Sequence, residues 1–186
     1  MQWRNSSSNY GLISIAMHWL VALAVGGLFA LGDWMVGLNY YSSWYRTAPD
    51  IHKSVGILLF GLMLARVLWR FASRGPAALP SHGRMTRLAT KAGHGLLYVG
   101  LFALMISGYL ISTAEGRQIG VFDWFQVPAL ITSIPNQADI AGLVHEYLAW
   151  AVLIFSAVHA LAALKHHFID RDPTLKRMFG RADDQL

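Results

Sequence analysis

Four apolar runs, each close to the length that crosses a bilayer, constrain this chain more than anything else in it: roughly Leu12–Gly32, Ile51–Phe71, Ala92–Ser112 and Leu143–Leu164. Hydrocarbon offers no partner to a backbone N–H or C=O, so a spanning segment must be a helix or part of a closed barrel. About 20 residues suits a helix, whereas a spanning strand needs about 10. The reading is all-α: an integral membrane four-helix transmembrane bundle forming a single domain over residues 1–186. Hydrophobic residues make up 55% of the chain and charged residues 13%, too poor a charge supply for a soluble surface. The first run follows a Ser/Asn-rich leader and lacks a small-residue cleavage pattern, so it reads as a span and not as a cleaved signal.

The formal charge of +5 raises the question of nucleic acid, and its distribution answers it. Of 15 Lys and Arg residues, 12 fall on one side of a four-span topology: Arg4, Arg66, Arg70, Arg74, Arg84, Arg87, Lys91, Lys165, Arg171, Lys176, Arg177 and Arg181. The other side has Arg46, Lys53 and Arg117 beside six acids. The positive-inside rule puts both termini in the cytoplasm. Membrane lipid is the expected partner of the basic residues, with no nucleic acid. Cysteine is absent, which excludes disulfides, thiolate-held iron–sulfur clusters and covalently attached c-type haem. Any cofactor must be held by nitrogen or oxygen.

The connections leave little room for a separate soluble domain. The first outer loop is rich in Trp and Tyr, as a headgroup belt requires. The inner loop, residues 73–91, carries Pro, Gly and many cations and reads as irregular. The second outer loop is the longest; its "VFDWF" is apolar enough to rest on the membrane or the helix ends, and Pro128 and Pro135 bound a possible short helix. After the last span, Asp172 as N-cap and Pro173 at the first position predict a brief amphipathic helix.

Histidine supplies the chemistry. His145 and His159 are 14 residues apart, about 21 Å along one helix and within about 40° of the same face. His18 lies level with His159, near the cytoplasmic face, and His52 lies level with His145, at the outer face. The depths pair His18 with His159 and His52 with His145. Each pair can supply both axial nitrogens of a haem iron, which would leave no open iron position. Zinc would need three or four ligands together, and the spans offer ligands in twos. A single imidazole at a helix end is more often an interfacial side chain. Four matched in depth, where unpaired polar groups are costly, outweigh that explanation.

Other residues are secondary candidates. His94 is at the depth of His18 and His159 and could replace His18 as ligand, bind a haem propionate, or contact a quinone. His166, Trp19 and Arg87 are candidates for a quinone near the inner haem; Lys53 and Arg46 could face the outer haem's propionates, or Lys53 could snorkel to headgroups. His82 reads as a solvated loop residue. Glycines in "VGGLFALG", "SVGILLFG" and "KAGHGLL" suit close helix packing and a flat macrocycle equally.

The stretches "SIAMHWL", "DIHKSVGILL", "GHGLLYVGLF", "HEYLAW" and "HALAALKHHFIDRDPTLKRM" together resemble the small bacterial cytochrome b561 family, related to the cytochrome b subunits of membrane hydrogenases and formate dehydrogenases. The resemblance spans nearly the whole chain with the motifs in family order. It implies two haem b groups ligated at His18, His52, His145 and His159, and electron transfer between a periplasmic donor and ubiquinone. One branch of the family oxidises superoxide and tends to carry Lys after the first-span His, where this chain has Trp19. The second outer loop is more like that of a branch linked to a periplasmic isoprenoid-binding, lipocalin-like partner. Three functions follow for comparison: a quinone-linked oxidoreductase, with superoxide as one donor; a non-catalytic relay or anchor for a periplasmic protein; and a haem-free proton or metal transporter.

Overall fold

A computed structural model describes residues 2–180; Arg181, counted above among the cations, lies outside them. Four long helices carry the chain: α1 Leu12–Val36, α2 Thr47–Ala72, α3 Arg84–Thr113 and α4 Gln137–Phe168. All four are long and apolar enough to cross a membrane, and at most 11% of an apolar 18-residue stretch of any one is buried against protein. Leu23, Leu68, Val99 and Leu161 are each more than 60% exposed. Apolar surface on that scale calls for lipid as its solvent. The chain is a multi-pass, four-helix membrane protein.

Each helix runs past the apolar run that defined it, by up to eight residues at Arg84. Hydropathy marks where hydrocarbon ends. The helix ends where backbone partners run out, and Arg, Lys and Gln are good helix formers in the headgroup layer.

The chain divides into two compact units. The terminal unit, residues 1–22, 62–97 and 154–186, contains both chain ends. Its leader is tied down. The Asn5 Oδ1 accepts from the Gly11 N–H and from the Ser14 hydroxyl, both at 2.8 Å, while Asn5 Nδ2 donates to the Ser73 carbonyl at 3.0 Å. Trp69 Nε1 donates to Ser14 Oγ at 3.0 Å. Any Cβ at position 11 would overlap the backbone of Trp3 and Arg4, so the return of the chain requires glycine there. The brief helix expected near the C-terminus is α5, Thr174–Arg177. Asp172 Oδ1 accepts the Thr174 N–H at 2.8 Å, and Pro173 occupies the cap position, one residue later than the sequence suggested.

The loop unit comprises residues 23–61 and 98–153. Phe29 packs edge-on to Trp150, and Phe60 to Phe102. The long connection after α3 differs from expectation. Strands β1, Ile119–Val121, and β2, Phe125–Val127, form an antiparallel hairpin, and residues 128–134 are non-helical. Phe122 and Asp123 both have positive φ, 44° and 60°, the geometry that lets a tight turn match strand twist. Ile119 and Val121 point inward and are buried, while Trp124 is 71% exposed. Buried Ser54 on α2 seats the turn by donating to the Gly120 carbonyl at 3.3 Å and accepting the Phe122 N–H at 3.2 Å. Tyr109 holds the next segment, donating to the Pro128 carbonyl and accepting the Leu130 N–H, both at 2.8 Å.

Candidate functional site: two histidine pairs

In the loop unit, His52 at the start of α2 faces His145 near the start of α4, ring centroids 6.2 Å apart and planes at 70°. Glycines make room for both rings. A Cβ at Gly32 of α1 would stand 3.1 Å from His52 Cε1, and one at Gly108 of α3 would stand 2.9 Å from His145 Cε1. His145 is the better anchored. Its Nδ1 is 2.9 Å from the Leu104 carbonyl and 3.2 Å from Ser107 Oγ. The carbonyl can only accept, so Nδ1 carries the proton and Nε2 keeps its lone pair. His52 Nδ1 is buried with no hydrogen bond to it, an arrangement that costs about 1–3 kcal/mol unless something else occupies the space beside it.

In the terminal unit, His18 of α1 faces His159 of α4 at 6.2 Å and 72°. This repeats the other pair's separation and angle almost to the digit. His94 of α3 lies closer, its centroid 5.3 Å from that of His159. Arg66 Nη2 lies 3.2 Å from His18 Nδ1. Guanidinium only donates, so here Nδ1 accepts and the ring proton sits on Nε2. Trp19 stacks on Phe179 and donates from Nε1 to the Met178 carbonyl at 2.9 Å, with its ring also 5.3 Å from that of His18.

Other sequence candidates have different occupations. Arg87 donates to the carbonyls of His82 and Leu79, at 2.8 and 3.3 Å, and so braces the loop before α3. Lys53 pairs with Asp50 at 2.8 Å. His166 sits beside His82, rings 4.9 Å apart, and beside Asp170 and Asp172. His82 is therefore not a solvated loop residue: its side chain is only 15% exposed and its Nε2 lies 2.9 Å from Asp172 Oδ2. Burial pushes the Asp172 carboxyl up, but hydrogen bonds from Thr174 and His82 outweigh it and hold the group below the usual carboxylate range. The sequence reading missed the approach of His82 to His166 and Asp172 because His82 is 84 residues from His166. The only local hint was the i, i+4 placement of His166 and Asp170 in "KHHFIDRD".

Membrane-length helices that turn imidazoles toward one another at two places define a membrane protein equipped to hold nitrogen-ligated cofactors among its helices. The sequence matches the prokaryotic cytochrome b561 family over residues 9–181, and the chain belongs to that family. Membership makes it a b-type haem protein of membrane electron transfer, with an oxidoreductase role. It is 56% identical over 182 residues to "Cytochrome b561 homolog 2" of Escherichia coli (strain K12), covering 98% of this chain and 97% of that one. It is 30% identical over 174 residues to "Probable superoxide oxidase CybB" of Yersinia pestis (92% and 96%), and 27% identical over 174 residues to "Cytochrome b561 homolog 1" of E. coli (94% and 98%).

Proposed function

We propose that the chain is a dihaem b-type cytochrome of the bacterial inner membrane, carrying electrons between a periplasmic donor and the ubiquinone pool. His18 and His159 hold the inner haem and His52 and His145 the outer one, with both termini cytoplasmic. The carrying observation is the repeated 6.2 Å separation. An imidazole nitrogen meets a transition metal at about 2.0–2.1 Å, so two in-line bonds, with about 1.1 Å from each nitrogen to its ring centre, put axial ring centroids about 6.3 Å apart. His94 to His159, at 5.3 Å, is too close for that role, which favours His18 as the ligand and leaves His94 beside the site. The glycine clearances at Gly32 and Gly108 and the buried Nδ1 of His52 also fit a group held between the rings.

When bound, haem would supply one-electron redox chemistry. The chain's own residues position and tune. Leu104 fixes the His145 tautomer that presents Nε2. His18 can present Nε2 only if its proton moves to Nδ1 and Arg66 turns away from that nitrogen; a haem carboxylate is the natural partner for the released guanidinium. Support for quinone contact falls on His94 and Trp19, which flank the His18 pair. Arg87, His166 and Lys53 are committed elsewhere.

Superoxide as donor has the Yersinia relative's name in its favour. The relay reading is favoured by the hairpin, which presents Trp124 and Phe125 at its exposed edge as a surface for a periplasmic lipocalin-like protein. Quinone reduction by the purified chain alone separates an enzyme from a relay. The haem assignment is tested by substitution: His145→Ala loses the outer haem and keeps the inner, and His159→Ala does the reverse. Haem content near two per chain in both variants, measured as the pyridine haemochrome, refutes the pairing.

A further inference from the structure

We propose that His82, His166 and Asp172 form a binding site for a divalent transition-metal ion of the zinc type, distinct from the haem-bearing pairs, that clasps the α2–α3 loop to the segment following α4. Two stretches of chain distant in sequence converge there, the loop that carries His82 and the end of α4 with the residues after it, which carry His166 and Asp172. Each residue offers one ligand atom, and the three atoms lie within 4.8 Å of one another. His82 Nε2 and His166 Nδ1 stand 2.9 and 3.2 Å from the same oxygen, Asp172 Oδ2. A tetrahedral zinc with bonds of about 2.0–2.2 Å holds neighbouring ligand atoms about 3.3–3.5 Å apart. The 2.9 and 3.2 Å contacts to Asp172 Oδ2 need open only by a few tenths of an ångström to match.

The trio is shielded and oriented. Side-chain exposure is 15% for His82, 17% for His166 and 8% for Asp172. Asp172 spends Oδ1 on the Thr174 N–H, which aims Oδ2 at the imidazoles. Its backbone N–H donates to the His166 carbonyl at 3.0 Å, and Arg171 before it takes a left-handed φ of 55°. That conformation is uncommon for a side-chain-bearing residue, and it folds Asp172 back under the end of α4. Arg87 grips the His82 carbonyl. Such outer contacts are what hold metal ligands in place.

His166 Nδ1 is the second independent observation. It lies 2.8 Å from Asp170 Oδ2 and 3.2 Å from Asp172 Oδ2, yet it is buried and makes a directed hydrogen bond to neither. A nitrogen crowded by carboxylate oxygens that lie off its axis is what an ion seated among them would organise. Two imidazoles and a carboxylate, without thiolate, suit Zn²⁺ and its neighbours better than Mg²⁺ or Ca²⁺. Asp170 is held by Lys165 through both oxygens, at 3.0 and 2.8 Å. It balances charge from outside, so the fourth position falls to water.

The test uses the full-length, haem-loaded protein in detergent, dialysed against Zn²⁺ and assayed for zinc by mass spectrometry, with affinity from a competing chelator. One zinc per chain is expected, with a Kd of about 10 µM or tighter. His82→Ala and Asp172→Asn should each weaken it at least about tenfold, with the haem spectrum of each unchanged. The X-ray absorption of zinc in the wild-type protein should show two imidazoles and oxygen neighbours, a readout that needs no variant to fold. Absence of stoichiometric zinc, equal zinc affinity in variants with intact haem spectra, or a zinc shell without imidazole overturns the proposal.

Discussion

Gly108→Ala is the sharpest single test of the proposed outer haem site, because the structure says how far one methyl must push. The new Cβ would stand 2.9 Å from His145 Cε1 and 3.2 Å from its Nδ1. Ordinary carbon contacts begin near 3.4 Å, so the ring must retreat by about 0.5 Å. A metal–imidazole bond tolerates about 0.2 Å. The same retreat stretches the 2.9 Å bond from Nδ1 to the Leu104 carbonyl, worth about 1 kcal/mol. Overpacking a filled site costs about 1–3 kcal/mol, which corresponds to roughly 5–150-fold weaker haem retention at about 1.4 kcal/mol per decade. Thermal melting would confuse the matter, since alanine also gains about 1 kcal/mol over glycine in a helix interior. The assay is therefore haem titration of the apo-protein with the reduced α-band resolved by redox potential. Gly61→Ala is the matched control: nothing lies within 4 Å of its added Cβ, so it should gain the helix term and keep both haems. If Gly108→Ala binds both haems as tightly as the wild type and with unchanged potentials, His145 is not held against α3 as argued.

Arg66→Met removes a cation from beside the His18 pair; loss of that positive charge should lower the proposed inner haem's midpoint potential by roughly 50–100 mV while the outer potential stays put. Redox titration with equal inner potentials in both proteins would refute it. Ser54→Ala deletes both bonds between α2 and the hairpin turn, at about 1–3 kcal/mol for the groups left unpaired. Amide exchange at Gly120–Phe122 should accelerate at least about tenfold in consequence, with no change in haem content; unchanged exchange would show that the turn is seated by something else.

How much of this was legible in the sequence depends on which physical rule governed each piece. The four helices were, because hydrocarbon tolerates so few backbone solutions that length and hydropathy suffice. Their ends were not: Arg84 to Lys91 continue α3 as good helix formers beyond the apolar run. The meeting of His52 with His145 followed from depth and helical facing, since a membrane sorts residues along one axis, whereas depth put both His18 and His94 level with His159. The hairpin was hidden. Phe122 in left-handed backbone violates the turn chemistry that makes hairpins readable, and Ser54, 68 positions away, is what holds it.

The choice between His18 and His94 shows where reading by depth runs out. Both lie at the level of His159, and hydropathy gives them the same address. What separates them is distance: one centroid stands 6.2 Å from His159 and the other 5.3 Å. Only the first matches the separation expected of two imidazoles that would share one metal ion. The same loss of lateral information hid His82, because a loop residue has no assigned depth and its approach to His166 depends on how residues 73–83 cross between α2 and α3. Side-chain chemistry in a membrane protein is thus sorted in two stages, by depth from composition and by azimuth from packing. In this chain the imidazoles proposed as haem ligands needed mainly the first stage, and the zinc trio needed the second.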